Sequence, residues 1–171
     1  MDNVVDMCRK IKDAKIPFVL NFNNSWETFE HSLSGIVNTA WLESKFLDDS
    51  GTSLHPDMNR IPSDTGGIYI FIAKPELVPQ IHLYILYIGR AKITARQNLK
   101  KRCNEYIGDS RLKINSMISS LGKYLYIKYL PLNDNDIIDR LEKELINRIL
   151  PPFNDEIPDK TINRAMKAWP A

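Results

Sequence analysis

Two runs dense in β-branched and aromatic residues, Gly67-Ile68-Tyr69-Ile70-Phe71-Ile72 and Ile81-His82-Leu83-Tyr84-Ile85-Leu86-Tyr87-Ile88, restrict this chain more than any other feature. Such side chains are stiff at χ1 and pack well on a pleated surface, so each run reads as a strand, and Pro75 and Pro79 between them mark a loop. Strands joined this way pair as an antiparallel hairpin. Tyr124-Leu125-Tyr126-Ile127-Lys128-Tyr129-Leu130 has the same character and reads as a third strand. So small a sheet needs helices over its faces, and helical spacing provides them. Val4, Val5, Met7, Cys8, Ile11 and Ala14 predict a helix to Lys15, stopped by Pro17. Ser25 as N-cap opens a longer one through Trp26, Phe29, Leu33, Ile36, Val37, Ala40 and Trp41 to about Phe46, followed by a connector from Asp48 to Thr65. Further helices are expected over Gln97–Ile107, Arg111–Leu121, Asp134–Leu150 before Pro151 and Pro152, and Asp159–Ala168. The expected architecture is α+β, a small three-stranded antiparallel sheet flanked by helices. Residues 1–65 form a helical N-terminal extension, 66–155 the sheet domain, and 156–171 a helical tail packed on it.

The chain has 171 residues, 43% hydrophobic and 26% charged, which fits one folded domain with an appendage and excludes disorder and coiled coil. No apolar run approaches the roughly 18 residues of a membrane span, and the acidic start Met1-Asp2-Asn3 does not read as a secretion signal. Cys8 and Cys103 lack a CxxC partner, and His31, His55 and His82 show no ligand spacing. A disulfide framework and a structural zinc site are therefore disfavoured, and a reducing cytoplasm is the expected location. Asp134-Asn135-Asp136 resembles the start of a calcium loop, but Asp139 stands where Gly is needed and Leu145 where Glu is needed, so it reads as a helix cap. No phosphate-binding P-loop and no Gly-x-Ser-x-Gly elbow occurs. The tyrosines 84, 124, 126 and 129, with Trp26, Trp41 and Trp169, read as packing residues and Cys103 as a small core residue.

The net charge of +2 hides an asymmetry. Residues 1–66 carry 6 basic and 10 acidic side chains, 90–128 carry 10 and 2, and 129–171 carry 6 and 8. A positive field concentrated in one quarter of the chain points to a polyanionic partner. On the last long helix Glu142 has Ile138, Leu145 and Ile146 at helical neighbour positions, so it borders the apolar stripe, whereas Glu144 lies four residues from Arg140 and from Arg148 and reads as a surface ion pair. A carboxylate at a core edge costs desolvation free energy unless a cation or donor satisfies it, which makes Glu142 the candidate metal ligand.

An ordered set of short motifs remains: Gly67-Ile68-Tyr69, Tyr87-Ile88-Gly89-Arg90-Ala91-Lys92, Asn98-Leu99-Lys100-Lys101-Arg102 with Tyr106 four residues on, Glu142, and Asn154. In order and spacing it resembles the GIY-YIG nuclease superfamily, and most closely the nuclease domain of the bacterial nucleotide excision repair incision subunits. The resemblance spans about Gly66 to Asp155, half of the chain. It implies a metal-dependent endonuclease that hydrolyses DNA phosphodiesters at one site, with Mg²⁺ or Mn²⁺ held by Glu142. It further implies Tyr69 and Tyr87 side by side, with Tyr87 positioning or deprotonating the water, Arg102 and Tyr106 pointing into one cleft with Arg102 as the phosphate clamp, and Asn154 ordering the site. A tyrosine titrating near its usual 10 is a poor base at neutral pH, and Arg90, where the repair nucleases have lysine, is expected to supply the cation that lowers it. Lys92, Arg96, Lys100 and Lys101 are expected to hold the backbone on either side without reading sequence.

Two stretches depart from that pattern. Seventeen residues, Ile70 to Leu86, separate the first two motifs, more than the family usually has, and about Ile93 to Gln97 are inserted before Asn98. Both flank the expected cleft, so substrate choice is where this chain is expected to differ. A small stand-alone nuclease of the restriction, defence or mobile-element type is the leading expectation. A structure-specific repair nuclease and a non-catalytic module that binds nucleic acid or a partner protein are the alternatives, and RNA stays open as substrate. Residues 1–65 are expected to carry a dimer contact or a protein-partner contact.

Overall fold

The computed structural model describes residues 4–13, 15–20 and 27–168. Three of its strands are those the hydropathy pattern marks: β2 (Gly66–Ala73), β3 (Tyr84–Ala91) and β4 (Leu125–Leu132). A fourth, β1 (Leu42–Lys45), joins them in an antiparallel sheet of order β1-β4-β2-β3. The helices are α1 (Val4–Asp13), α2 (His31–Val37), α3 (Leu99–Asn104), α4 (Leu112–Leu121), α5 (Asn135–Ile149) and α6 (Lys160–Ala168). Two 3₁₀ turns, Pro56–Arg60 and Glu105–Gly108, complete the connector and extend α3. No helix among the described residues is long and apolar enough to cross a membrane.

The period of two in β2 and β3 builds two separate cores. Tyr69, Phe71, Tyr87, Ile127 and Tyr129 face α3 and α4, packing on Leu99, Cys103, Tyr106, Ile114 and Met117. Ile68, Ile70, Ile72, Ile88 and Leu130 face α5, packing on Ile138, Leu141, Leu145 and Ile146, with Ile162 and Met166 of α6 at the margin. Asp134 caps α5 by accepting hydrogen bonds from the amides of Asp136 and Ile137, as expected for a helix cap. α5 ends at Leu150 in a left-handed conformation before Pro151 and Pro152.

The three-strand expectation is corrected by β1, which lies inside the stretch read as a long helix. α2 stops at Val37, and Trp41, at the next helical position, donates its indole N–H to the Val37 carbonyl at 3.0 Å, so an anchor at helical spacing follows a helix that has already ended. The expected cap Ser25, with Ala14, Trp26 and Trp169, lies outside the described residues. The domain boundary moves for the same reason: β1, Phe46, Leu47, Met58 and Ile61 belong to the sheet and its first core, so residues 42–65 are part of the sheet domain and not of a helical extension. Residues 81–83 precede β3 in the loop, and Tyr84 and Tyr124 are 44% and 39% exposed, so these two tyrosines lie at the surface, Tyr84 against the Phe18 ring, and not in the core.

Candidate functional site

Both motif glycines are required by close approaches. Gly67 has φ +150°, and a Cβ there would stand 2.2 Å from the Leu130 carbonyl oxygen across the β2–β4 pair. Gly89 lies opposite Tyr69 in the β2–β3 register, and a Cβ would meet the Tyr69 hydroxyl at 2.5 Å, so the phenol ring lies on the bare backbone. That packing aims the Tyr69 hydroxyl at Tyr106, 2.8 Å away, and at Arg102 Nε, which donates to it at 3.3 Å. Tyr87 pairs with Phe71 in register, so it shares a face with Tyr69 without being its direct neighbour, and Tyr106 stands between them with ring centroids 5.7 Å from each. Burial raises the pKa of Tyr69 well above the usual phenol range, and burial followed by the Tyr87 charge raises that of Tyr106. These two phenols are neutral hydrogen-bonding groups at physiological pH. Tyr106 is buried beneath the Arg102 guanidinium, 5.1 Å from its ring centroid, and is absent from the cleft wall, contrary to the expectation that both point into it.

Arg90 and Tyr87 are three residues apart on one strand, and alternation sends them to opposite faces. Arg90 therefore reaches α5, where it hydrogen-bonds Glu142 Oε2 and lies 2.9 Å from Asp139 Oδ1, out of line for a hydrogen bond. The cation expected beside Tyr87 comes from elsewhere: Arg111, at the start of α4, stands 5.8 Å from the Tyr87 ring centroid and 5.5 Å from that of Tyr106. Asp109 holds this guanidinium by hydrogen bonds at 2.6 to 3.1 Å. Arg111 is the residue that sequence reasoning missed, because its role depends on the turn of Glu105–Gly108 returning the chain over the tyrosines.

Glu142 lines the cleft with its side chain 16% exposed. Burial raises its pKa, and the Arg90 charge opposes that without cancelling it. Among the described residues no cluster of three or more acidic, histidine or cysteine side chains is placed to hold a metal. A lone carboxylate fits Mg²⁺, which keeps several waters and takes its other ligands from a substrate phosphate, and Glu142 Oε1 has no partner among the described residues.

Asn154 secures the free edge of the sheet. Its Oδ1 accepts the Ile88 amide at 2.9 Å and its Nδ2 donates to the Ile88 carbonyl at 2.8 Å, while the Phe153 amide donates to Leu86 O at 3.0 Å. Asn135 holds the continuation of β3 in the same way, bonding the amide and carbonyl of Ile93 at 3.0 and 3.1 Å. Because β3 is the last strand, groups from both faces meet around its edge, in a cleft of about 880 Å³. Tyr69, Tyr87, Arg90, Arg102, Glu142 and Asn154 all line it.

The other expected backbone contacts lie elsewhere. Lys92 pairs with Asp139 at 2.5 Å, Lys101 donates to the Arg96 carbonyl at 2.8 Å, and Lys100 donates to the Asn59 carbonyl at 3.3 Å. Lys100 and Lys101 border a separate shallow concavity with Asn98 and Asn104, and Arg96 is exposed on the loop before α3. Cys103 is fully buried with its thiol pKa pushed up by burial, as suits a core residue. Glu144 pairs with Arg148 at 2.7 Å, while Arg140 pairs instead with Glu30. No protein-family model matches the chain, and no curated protein or solved structure matches it significantly.

Proposed function

We propose that this protein is a metal-dependent endonuclease of the GIY-YIG type that hydrolyses phosphodiester bonds of DNA. The observation that carries the reading is the meeting, in one cleft, of Tyr69 and Tyr87, Arg102, Glu142 and Asn154, residues from both strands of the hairpin, α3, α5 and the segment after it. Six cationic and three anionic side chains line the same cleft, which favours a polyanion. In the proposed reaction a water oxygen attacks phosphorus, the new P–O bond forms as the opposite one breaks, and the leaving oxygen takes up a proton. Tyr87, under the Arg111 guanidinium, orients the attacking water, whose proton passes to solvent, and solvent returns a proton to the leaving oxygen. Arg102, braced by Tyr69 and by Glu105 at 3.1 Å, binds the non-bridging oxygens. Glu142 would hold Mg²⁺ or Mn²⁺, which supplies positive charge at the leaving oxygen. Asn154 fixes the strand that carries Tyr87.

One observation favours a second reading, a non-catalytic nucleic-acid-binding module: Arg90 already pairs with Glu142. Incubation of supercoiled plasmid, linear duplex, single-stranded DNA and RNA with Mg²⁺ or Mn²⁺ separates the two. The nuclease reading expects metal-dependent cleavage of DNA that Arg102→Ala abolishes while the variant stays folded. Binding of DNA without cleavage under any of these conditions supports the module, and cleavage confined to RNA changes the substrate.

A further inference from the structure

The sequence places the positive field in residues 90–128, yet half of the cations in the cleft come from outside that segment. Lys143 on α5 and Lys160 and Lys167 on α6 line it opposite Arg102 and Arg111. All three are exposed, and among the described residues none of them makes an ion pair. α6 is fixed in place by Ile162 and Met166, which pack against the second core, and by Asp159, whose carboxylate caps its first turn through the amides of Thr161 and Ile162 and whose own amide donates to Asn147 at 2.9 Å. Lys160 and Lys167 are seven residues apart, two helical turns or about 10 Å along the axis. At about 3.4 Å of helix axis per phosphate of one strand, that span covers about three phosphate intervals. By contrast, Lys92 and Lys101 are tied to Asp139 and to the Arg96 carbonyl, and Lys100 lies outside the cleft.

Resting on the nuclease reading above, we infer that α6 with Lys143 is the backbone-binding wall of the site. Lys143, Lys160 and Lys167 hold phosphates along the DNA strand that flanks the scissile bond, and Asn163, which also lines the cleft, supplies a neutral hydrogen bond on the same face. Ammonium groups on flexible stems neutralise phosphates without reading bases, so this wall sets affinity and register but no sequence preference. It also gives the C-terminal helix, which lies beyond the motif set, a part in the site.

The test is a salt titration of binding to a fluorescein-labelled DNA duplex, in EDTA so that no strand is cut. It compares wild type, the Lys143→Gln/Lys160→Gln/Lys167→Gln triple variant, and a charge-matched triple variant at Arg96, Lys100 and Lys101. Each phosphate contact contributes about 0.9 to the slope of log K against log salt, so loss of the wall lowers the slope by about 2.7, and the charge-matched variant loses clearly less. Glutamine preserves helix propensity, and circular dichroism checks the fold. An unchanged slope, or equal losses in the two triple variants, overturns the wall while leaving the nuclease reading intact. A wild type that binds no DNA overturns that reading, and the wall with it.

Discussion

Replacing Asn154 with alanine removes both hydrogen bonds from its side chain to Ile88 and leaves the partly buried backbone at the edge of β3 unpaired. Each such bond contributes about 1 kcal/mol net, so the loss is about 2 kcal/mol before water replaces part of it. For a chain of this size that lowers Tm by about 4–8 °C. Asn154→Asp sharpens the test. Its carboxylate still accepts the Ile88 amide but sets a second acceptor against the Ile88 carbonyl, whereas the protonated acid can donate to it. That variant should be as unstable as the alanine form at neutral pH and recover as the pH falls through its carboxyl titration. Thermal unfolding followed by circular dichroism at neutral and acidic pH reads both effects. A Tm for Asn154→Ala within about 1 °C of wild type, with no acid recovery in Asn154→Asp, refutes the edge-clamp role and leaves Asn154 as a group that contacts substrate alone.

Other outcomes follow from the same geometry. Gly89→Ala drives a methyl group into the Tyr69 phenol and should cost about 1–3 kcal/mol, read as a lower urea midpoint, with loss of cleavage as Tyr69 is displaced. Tyr69→Phe removes the hydroxyl shared by Tyr106 and Arg102 and should cost about 1 kcal/mol, with weaker DNA binding as Arg102 loses its brace. The raised pKa of Glu142 has a defined sign in stability. The unfolded chain ionises this group first, so its contribution is most favourable below the ordinary glutamate pKa and declines as pH rises from there through the higher folded value. Urea midpoints measured from pH 4 upward should therefore decline less steeply with pH in Glu142→Gln than in wild type.

The sheet and the long helix were legible because a single physical signal dominated each. β-branched alternation marks β2, β3 and β4, and a clear apolar stripe between Asp134 and Pro151 marks α5. β1 was not legible. It is four residues long, Leu42-Glu43-Ser44-Lys45, with Leu42 half-exposed, and its buried member is Ser44, which satisfies itself on the Asp57 carbonyl at 3.1 Å. Its identity comes from pairing with β4. At the site, Arg102, Glu142 and Asn154 are visible as residues, whereas Arg90, which strand alternation separates from Tyr87, pairs with Glu142 on the other face. Arg111, Lys160 and Lys167 lie outside the motifs and reach the cleft only through tertiary packing, and no local pattern records that.

In this mechanism Glu142 is required for the chemistry and dispensable for folding and for DNA affinity. That role is tested most directly by measuring, on one DNA substrate, both binding and Mg²⁺-dependent strand cleavage for wild type and Glu142→Gln. The account predicts that the variant folds, binds DNA at least as well because a negative charge has left the cleft, and cuts nothing. Cleavage by Glu142→Gln at the wild-type rate would contradict it.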